Sequence, residues 1–341
     1  MKIAVVASPV TPLRPAQLGG AQAFICDLSA GLAARGHDLT LHCAEGSEVA
    51  GVRLATVSLP PDAGVALVMP GGAPPPPTPG VAAALGAMFD AIDAAGVDVV
   101  SQHAFDAPAF DLARDLPVLH TLHLPPIVEA VVSAARHVPS PRLATVSRSC
   151  QASWQAVGVE VPRVLRNGVA DMPVQLTPSR AALIAGRISP EKGIEHAIAA
   201  ARAADIEVRI AGAHYDPAYE VDLNSTTQFG SLRRDELRLL MAQSAVTICA
   251  VRWDEPFGMV AAEAQMAGCP VAAYGRGAMP EVVEEGVSGF LAEPDDVDAL
   301  TRAVRSCLAL DRAAVRASAQ RRLGLEAALD QYEIALREAA G

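Results

Sequence analysis

Three short segments hold the residues whose types and spacing could do chemistry. The first is Gly186-Arg187-Ile188-Ser189-Pro190-Glu191-Lys192-Gly193, read as a strand end running into a helix that starts at Pro190 and reaches Ala204, with Ser189 as its cap. The partial positive charge of a helix N-terminus disfavours cations unless an anion joins them. Arg187 supplies a bidentate fork and Lys192 a point charge, a combination suited to a diphosphate. Ordinary ion pairs with Glu191 and Glu195 are the plainer alternative. Lys192 stands out because Lys2 is the only other lysine in the chain.

The second segment is Asp254-Glu255-Pro256-Phe257-Gly258-Met259-Val260-Ala261-Ala262-Glu263. Pro256 and Gly258 fit a turn opening a helix, whose first backbone N–H groups can hold phosphate or sugar oxygens. Glu255 and Glu263 would repel bare phosphate but suit the hydroxyls of a sugar or ribose. A helix-start acid and a solvated helix glutamate are the plain readings of the pair. The third segment is the pair Gly19-Gly20 before the first helix, which permits close backbone approach to a ligand. No G-x-G-x-x-G follows any strand, so a nicotinamide dehydrogenase is poorly supported. Among the histidines, His123 stands just past the carboxyl end of the strand Val118–Leu122, and His103 follows another strand end. His120 lies inside a strand and reads as a core residue.

The elements positioning these residues alternate short β-branched runs with longer Ala- and Leu-rich stretches of helical period, the pattern of parallel sheets covered by helices. In open α/β sheets ligands bind outside the carboxyl ends of the strands, where all three segments fall. A break near Arg166-Asn167-Gly168-Val169, followed by a Pro-containing polar stretch, suits an interdomain connector. Residues 60–80, with four consecutive prolines from 74 to 77, read as a loop that forms neither ladder nor helix. The tail from Ala313 to Ala340 is helical by composition.

The 341 residues allow two domains, and 51% hydrophobic against 19% charged residues argues for an ordered, globular chain and against disorder. A net charge of −11 argues against nucleic-acid binding and against a basic membrane surface. The six scattered cysteines read as buried thiols of a reducing compartment. No apolar run reaches membrane-spanning length, and the opening residues read as a first strand, so the expected location is cytoplasmic.

The spacing Gly186-Arg187-x4-Lys192-Gly193 followed by Glu255-x7-Glu263, with Gly19-Gly20, Arg166-Asn167-Gly168-Val169 and the run Ala278–Leu291, resembles retaining glycosyltransferases of family 4. A narrower resemblance is to transferases of actinobacterial antibiotic pathways such as avilamycin assembly. The resemblance implies GT-B architecture, an α/β fold with two Rossmann-like doubly wound parallel-sheet domains facing across a cleft. Residues 1–166 would form an acceptor-binding domain and 167–325 a nucleotide-sugar-binding domain. A C-terminal helix at 326–341 would pack back on the first.

The resemblance also implies roles. Arg187 and Lys192 match the basic pair on the donor diphosphate. Glu263 matches the acid on the ribose, and Glu255 the acid beside the donor sugar. Gly258, Met259 and Val260 match a loop whose amides touch sugar and phosphate, Leu232 a backbone contact to the base, and Gly20, with Gly19 beside it, a glycine near phosphate or acceptor. His123 matches a histidine facing the donor sugar, with His103 as second candidate. Gln22 stands where the family often has an acid, and Val251-Arg252-Trp253-Asp254 replaces the usual approach to the first acid, where Trp253 either lines the sugar pocket or packs against the connector.

The expected activity is transfer of a sugar from a nucleotide diphosphate sugar, UDP before GDP, to a hydroxyl of a small molecule or glycan with retention, by a monomer or homodimer. No Asp-x-Asp is expected at a strand end, consistent with metal-independent action and no cofactor. The alternatives are a nucleotide-sugar epimerase, a phosphorylase, or a non-catalytic sugar-nucleotide-binding protein.

Overall fold

The computed structural model describes every residue except 16–18, 68–71, 73, 74, 114, 174–178, 216 and 217. The polypeptide divides into two units. The first holds Met1–Pro15, Ala21–Gly168 and Leu325–Gly341, the second Val169–Gly324 together with Gly19 and Gly20. The chain thus leaves the first unit after Gly168, within the expected connector, and returns to it after Gly324.

The first unit runs β1 (Lys2–Val6), α1 (Gly20–Ala34), β2 (Asp38–Ala44), β3 (Arg53–Val57), α2 (Ala63–Ala66), α3 (Pro79–Ala95), β4 (Val99–Gln102), α4 (Ala107–Leu112), β5 (Val118–Leu122), α5 (Glu129–Ala135), β6 (Leu143–Thr145), α6 (Arg148–Ala156) and β7 (Arg163–Val164). Its strands form one parallel sheet in the order β3-β2-β1-β4-β5-β6-β7. β1, β4 and β5 are buried along almost their whole length, as strands covered on both faces must be. Val81, Leu85, Met88, Phe89 and Ile92 of α3 recur at helical spacing and pack with Ala4, Val6, Val100 and Val118 of the sheet.

The second unit runs β8 (Ala181–Ala185), α7 (Ile194–Ala203), β9 (Glu207–Ala211), β10 (Thr227–Gln228), α8 (Arg234–Ala242), β11 (Val246–Cys249), α9 (Met259–Met266), β12 (Val271–Tyr274), α10 (Met279–Val282), β13 (Gly289–Ala292), α11 (Val297–Cys307) and α12 (Arg312–Leu323). Its parallel sheet has the order β10-β9-β8-β11-β12-β13. The strand order reverses between β1 and β4 in the first unit and between β8 and β11 in the second. At such a point successive connections diverge to opposite faces and leave a crevice at the carboxyl ends of the strands.

The tail is two helices rather than one. α12 stops before Gly324 and α13 (Leu325–Ala340) belongs to the first unit. Arg35 bonds Glu326 and Asp330 of α13, His37 bonds Glu333, and Arg163 bonds Glu338. The 60–80 segment also departs from the expectation. Ala63–Ala66 is helical, and Pro79 opens α3, since proline at a first helical position gives up an N–H that has no intrahelical partner. The Asp62 carboxylate accepts from Gly80 and Val81 N–H. Pro74, in the proline run, lies outside the described residues.

All six cysteines are free thiols. Among the described residues no helix is long and apolar enough to cross a membrane.

Candidate functional site

In the second unit the loops after β8 and β11 meet at the reversal of strand order. Beyond Gly186, Pro190–Lys192 forms a single 3-10 turn, and Gly193 at φ +60° separates it from α7, so the continuous helix expected from Pro190 is broken. A Cβ on Gly193 would stand 2.0 Å from the Ala250 carbonyl oxygen, which fixes how closely the two loops approach. Arg252 N–H donates to the Glu191 carbonyl at 2.8 Å, a second tie between them.

Each expected anion-binding cation has a carboxylate partner. Arg187 Nη2 lies 3.2 Å from Glu191 Oε1, and its guanidinium stands 4.7 Å above the centroid of the Tyr215 ring. Ser189, expected to cap a helix, instead donates its hydroxyl to Glu191 Oε1 at 2.7 Å. Glu191 is 6% exposed, and among the described residues its Oε2 has no hydrogen-bond partner. Lys192 does not pair with Glu195. Its Nζ donates to Glu255 Oε2 at 2.7 Å, and Trp253 Nε1–H donates to the same oxygen at 2.9 Å. The ammonium also lies 5.5 Å from the Trp253 ring centroid. Trp253, read from the sequence as a pocket-lining or connector-packing residue, is therefore a holder of Glu255, and only its nearness in sequence could have suggested this.

Gly258 adopts φ +92° and precedes α9 with no side-chain cap. The first-turn amides of α9, Met259 and Val260 among them, have no intrahelical acceptor, as at any helix start. Glu263 lies on the second turn of α9 and is buried at 6% exposure, so it is not a solvated helix glutamate. Its Oε1 accepts from Arg234 Nε at 2.5 Å and lies 3.4 Å from Arg238 Nη2. Sequence reasoning missed both arginines, although their i, i+4 spacing on α8 was the available signal. Leu232 is half-buried beyond β10, just after Gly230, whose carbonyl accepts from Gly212 N–H. Asp296-x-Asp298 does follow a strand, β13, which the sequence reading did not identify. Asp296 is spent on capping α11 through Ala299 N–H.

In the first unit the two histidine candidates are one hydrogen-bonded pair. β4 and β5 are parallel neighbours, so His103 and His123 emerge from adjacent carboxyl ends. His103 Nδ1 and His123 Nε2 are 2.8 Å apart, and Ser101 Oγ lies 2.8 Å from His103 Nε2. Phe24 of α1 and Tyr332 of α13 close over the pair, with centroids 6.1 Å from His123 and 5.9 Å from His103 respectively. Burial keeps both rings neutral: the His123 pKa falls to about 4 and that of His103 lies well below its ordinary value. His120 stacks on Phe110 at 4.9 Å as a core residue, its pKa lowered by burial to about 3. Gly20 opens α1, with Gly19 just before it.

Comparison with known proteins follows the same division. Residues 18–171 match the Glycosyltransferase Family 4 profile, and residues 175–323 match Glycosyl transferases group 1. Glycogen synthase of Mycobacterium tuberculosis is 30% identical over 276 residues, 70% of this chain and 66% of that protein. D-inositol 3-phosphate glycosyltransferase of Mycolicibacterium smegmatis is 29% identical over 257 residues, 61% of this chain and 59% of that protein. The chain thus spans less than two thirds of the length of either relative. AviGT4, a glycosyltransferase involved in avilamycin A biosynthesis, superposes with a TM-score of 0.73 at 22% identity, covering 99% of this chain and 97% of that one. Anabaena Alr3699/HepE, solved with UDP and glucose, gives 0.75 at 18% identity, covering 99% and 100%.

Proposed function

We propose that this chain, which carries the two domains of a GT-B glycosyltransferase, transfers a sugar from a nucleotide diphosphate sugar to an acceptor hydroxyl with retention of configuration. UDP is the favoured carrier and a natural product or glycan the favoured acceptor class. The observation that carries the reading is the arrangement after β8 and β11, where Lys192 and Glu255 stand together beside the open first turn of α9.

On this reading Arg187 and Lys192 take the diphosphate oxygens, with the amides of Gly258, Met259 and Val260 beside them. Lys192 exchanges its carboxylate partner for phosphate, and Glu255, still held by Trp253, accepts hydrogen bonds from sugar hydroxyls. Glu263, fixed by Arg234 and Arg238, takes the ribose hydroxyls. As the bond from the anomeric carbon to the β-phosphate oxygen breaks, both electrons leave with the phosphate, and the cations and amides stabilise that charge. The acceptor oxygen forms the new bond on the same face and passes its proton to a phosphate oxygen. No metal ion or cofactor is required in this scheme, and a cytoplasmic setting fits the charge and the free thiols. The first unit, with His123 and His103, serves the acceptor and the sugar, and Gly20, which belongs to the second unit, serves phosphate or acceptor.

Turnover with a panel of UDP- and GDP-sugars against hydroxyl acceptors tests the proposal, with the product's anomeric configuration read by NMR. A retained glycoside is expected. Sugar release needing no acceptor favours an epimerase, and transfer needing free phosphate favours a phosphorylase. Nucleotide binding with no product from any acceptor favours a binding protein.

A further inference from the structure

The direction of the hydrogen bonds through the histidine pair follows from one serine. Ser101 on β4 is fully buried, and among the described residues His103 Nε2 is the only partner of its hydroxyl. If His103 donated to Ser101, the serine proton would be buried with no acceptor, a costlier defect than an unfilled oxygen lone pair. The Ser101 O–H therefore donates to His103 Nε2. The proton of a neutral His103 then sits on Nδ1, where it faces His123 Nε2 at 2.8 Å. With Nε2 accepting, a neutral His123 carries its proton on Nδ1. Among the described residues that atom is buried without a partner, in a residue 4% exposed.

We infer that Ser101 and His103 are positioning residues that fix the tautomer of His123, so that His123 presents an N–H donor at Nδ1 to an acceptor oxygen of the substrate. The identification of that oxygen as a sugar hydroxyl rests on the proposed function; the tautomer does not. His123 Nδ1, already protonated, does not take the proton released by the acceptor hydroxyl. Phe24 packs beside the His123 ring and Tyr332 beside the His103 ring, and Tyr332 is itself held by its hydroxyl on Thr121 Oγ1 at 3.3 Å.

The test is long-range proton–nitrogen NMR on the intact chain labelled with 15N-histidine at pH 7, with His103→Asn used for assignment. Protonated Nδ1 and unprotonated Nε2 are expected in both rings. Ser101→Ala is expected to give mixed tautomers and a roughly five-fold lower kcat, the scale of one neutral hydrogen bond, and Ser101→Thr, which keeps the hydroxyl, to restore both. An unprotonated His123 Nδ1 in the wild type overturns the inference even if the variants fail to fold, as does a Ser101→Ala spectrum identical to wild type. The expected tautomers in a chain that transfers no sugar uphold this assignment while removing the proposed function.

Discussion

Lys192 Nζ and Glu255 Oε2 lie 2.7 Å apart, and the side chains are only 19% and 13% exposed. A pair this sheltered behaves asymmetrically: removing one member strands the other charge, whereas removing both does not. Lys192→Ala is therefore expected to lower the melting temperature more than Lys192→Ala/Glu255→Ala does, as read by thermal denaturation. Both are expected to lose roughly 10²–10³-fold in kcat/KM, the usual effect of deleting a group that stabilises developing charge. A double variant less stable than the single one contradicts the pairing.

Trp253 gives Glu255 a second donor through Nε1. Trp253→Phe keeps most of the ring and removes the N–H. A hydrogen bond to a charged group contributes about 1.5 kcal/mol, so kcat/KM is expected to fall roughly ten-fold with little change in melting temperature. Unchanged kinetics would show that Lys192 alone orients Glu255.

These relationships were legible in the sequence only in part. The run Val118–Leu122, with Val118, Leu119 and Leu122 apolar, was read as a buried parallel strand, and the segments at Arg187–Lys192 and Glu255–Glu263 were recognisable from composition and spacing. Pairing across the sheet was not, because register between β8 and β11 is a tertiary property: nothing local tells Lys192 that its partner is 63 residues away. Gly193 looked like an ordinary early helix residue, yet it breaks the helix because its backbone faces the Ala250 carbonyl. His103 and His123 read as rivals for one role and form a single unit because β4 and β5 are neighbours. β3, β6 and β13 went unread. Their short or part-exposed strands, such as Arg53–Val57 with Leu54 and Ala55 only half-buried, lack the fully apolar signature of central strands.

Glu263 is expected to be a structural as well as a binding residue. Glu263→Ala removes the carboxylate that Arg234 and Arg238 share, Arg238 being 7% exposed, and breaking a buried pair costs about 3 kcal/mol. Glu263→Gln keeps an acceptor oxygen and should retain more stability. Chemical denaturation checks both, and equal midpoints for Glu263→Ala and wild type would contradict the assignment.

The buried histidines set a pH dependence of stability. His120 and His123 have folded pKa values of about 3 and about 4, below the ordinary value of 6.5, chiefly through burial. Between those values and 6.5 the unfolded chain binds protons that the folded chain does not, so stability rises with pH. Stability is therefore fully present above 6.5 and lost as pH falls from there toward 4, by up to about 1.4 kcal/mol per pH unit for each ring. Denaturation midpoints measured at pH 7, 6 and 5 should fall in that order, and less steeply in His120→Phe. A midpoint independent of pH over this range would place the rings in water.

The proposed donor complex centres on a nucleoside diphosphate held by the loop after β8. Calorimetric titration of UDP into the intact chain and into Arg187→Ala/Lys192→Ala measures this directly. The prediction is saturable binding by the wild type and an affinity at least ten-fold weaker in the double variant, as expected when two charge-assisted contacts are removed. UDP binding of equal strength in the two proteins would contradict it.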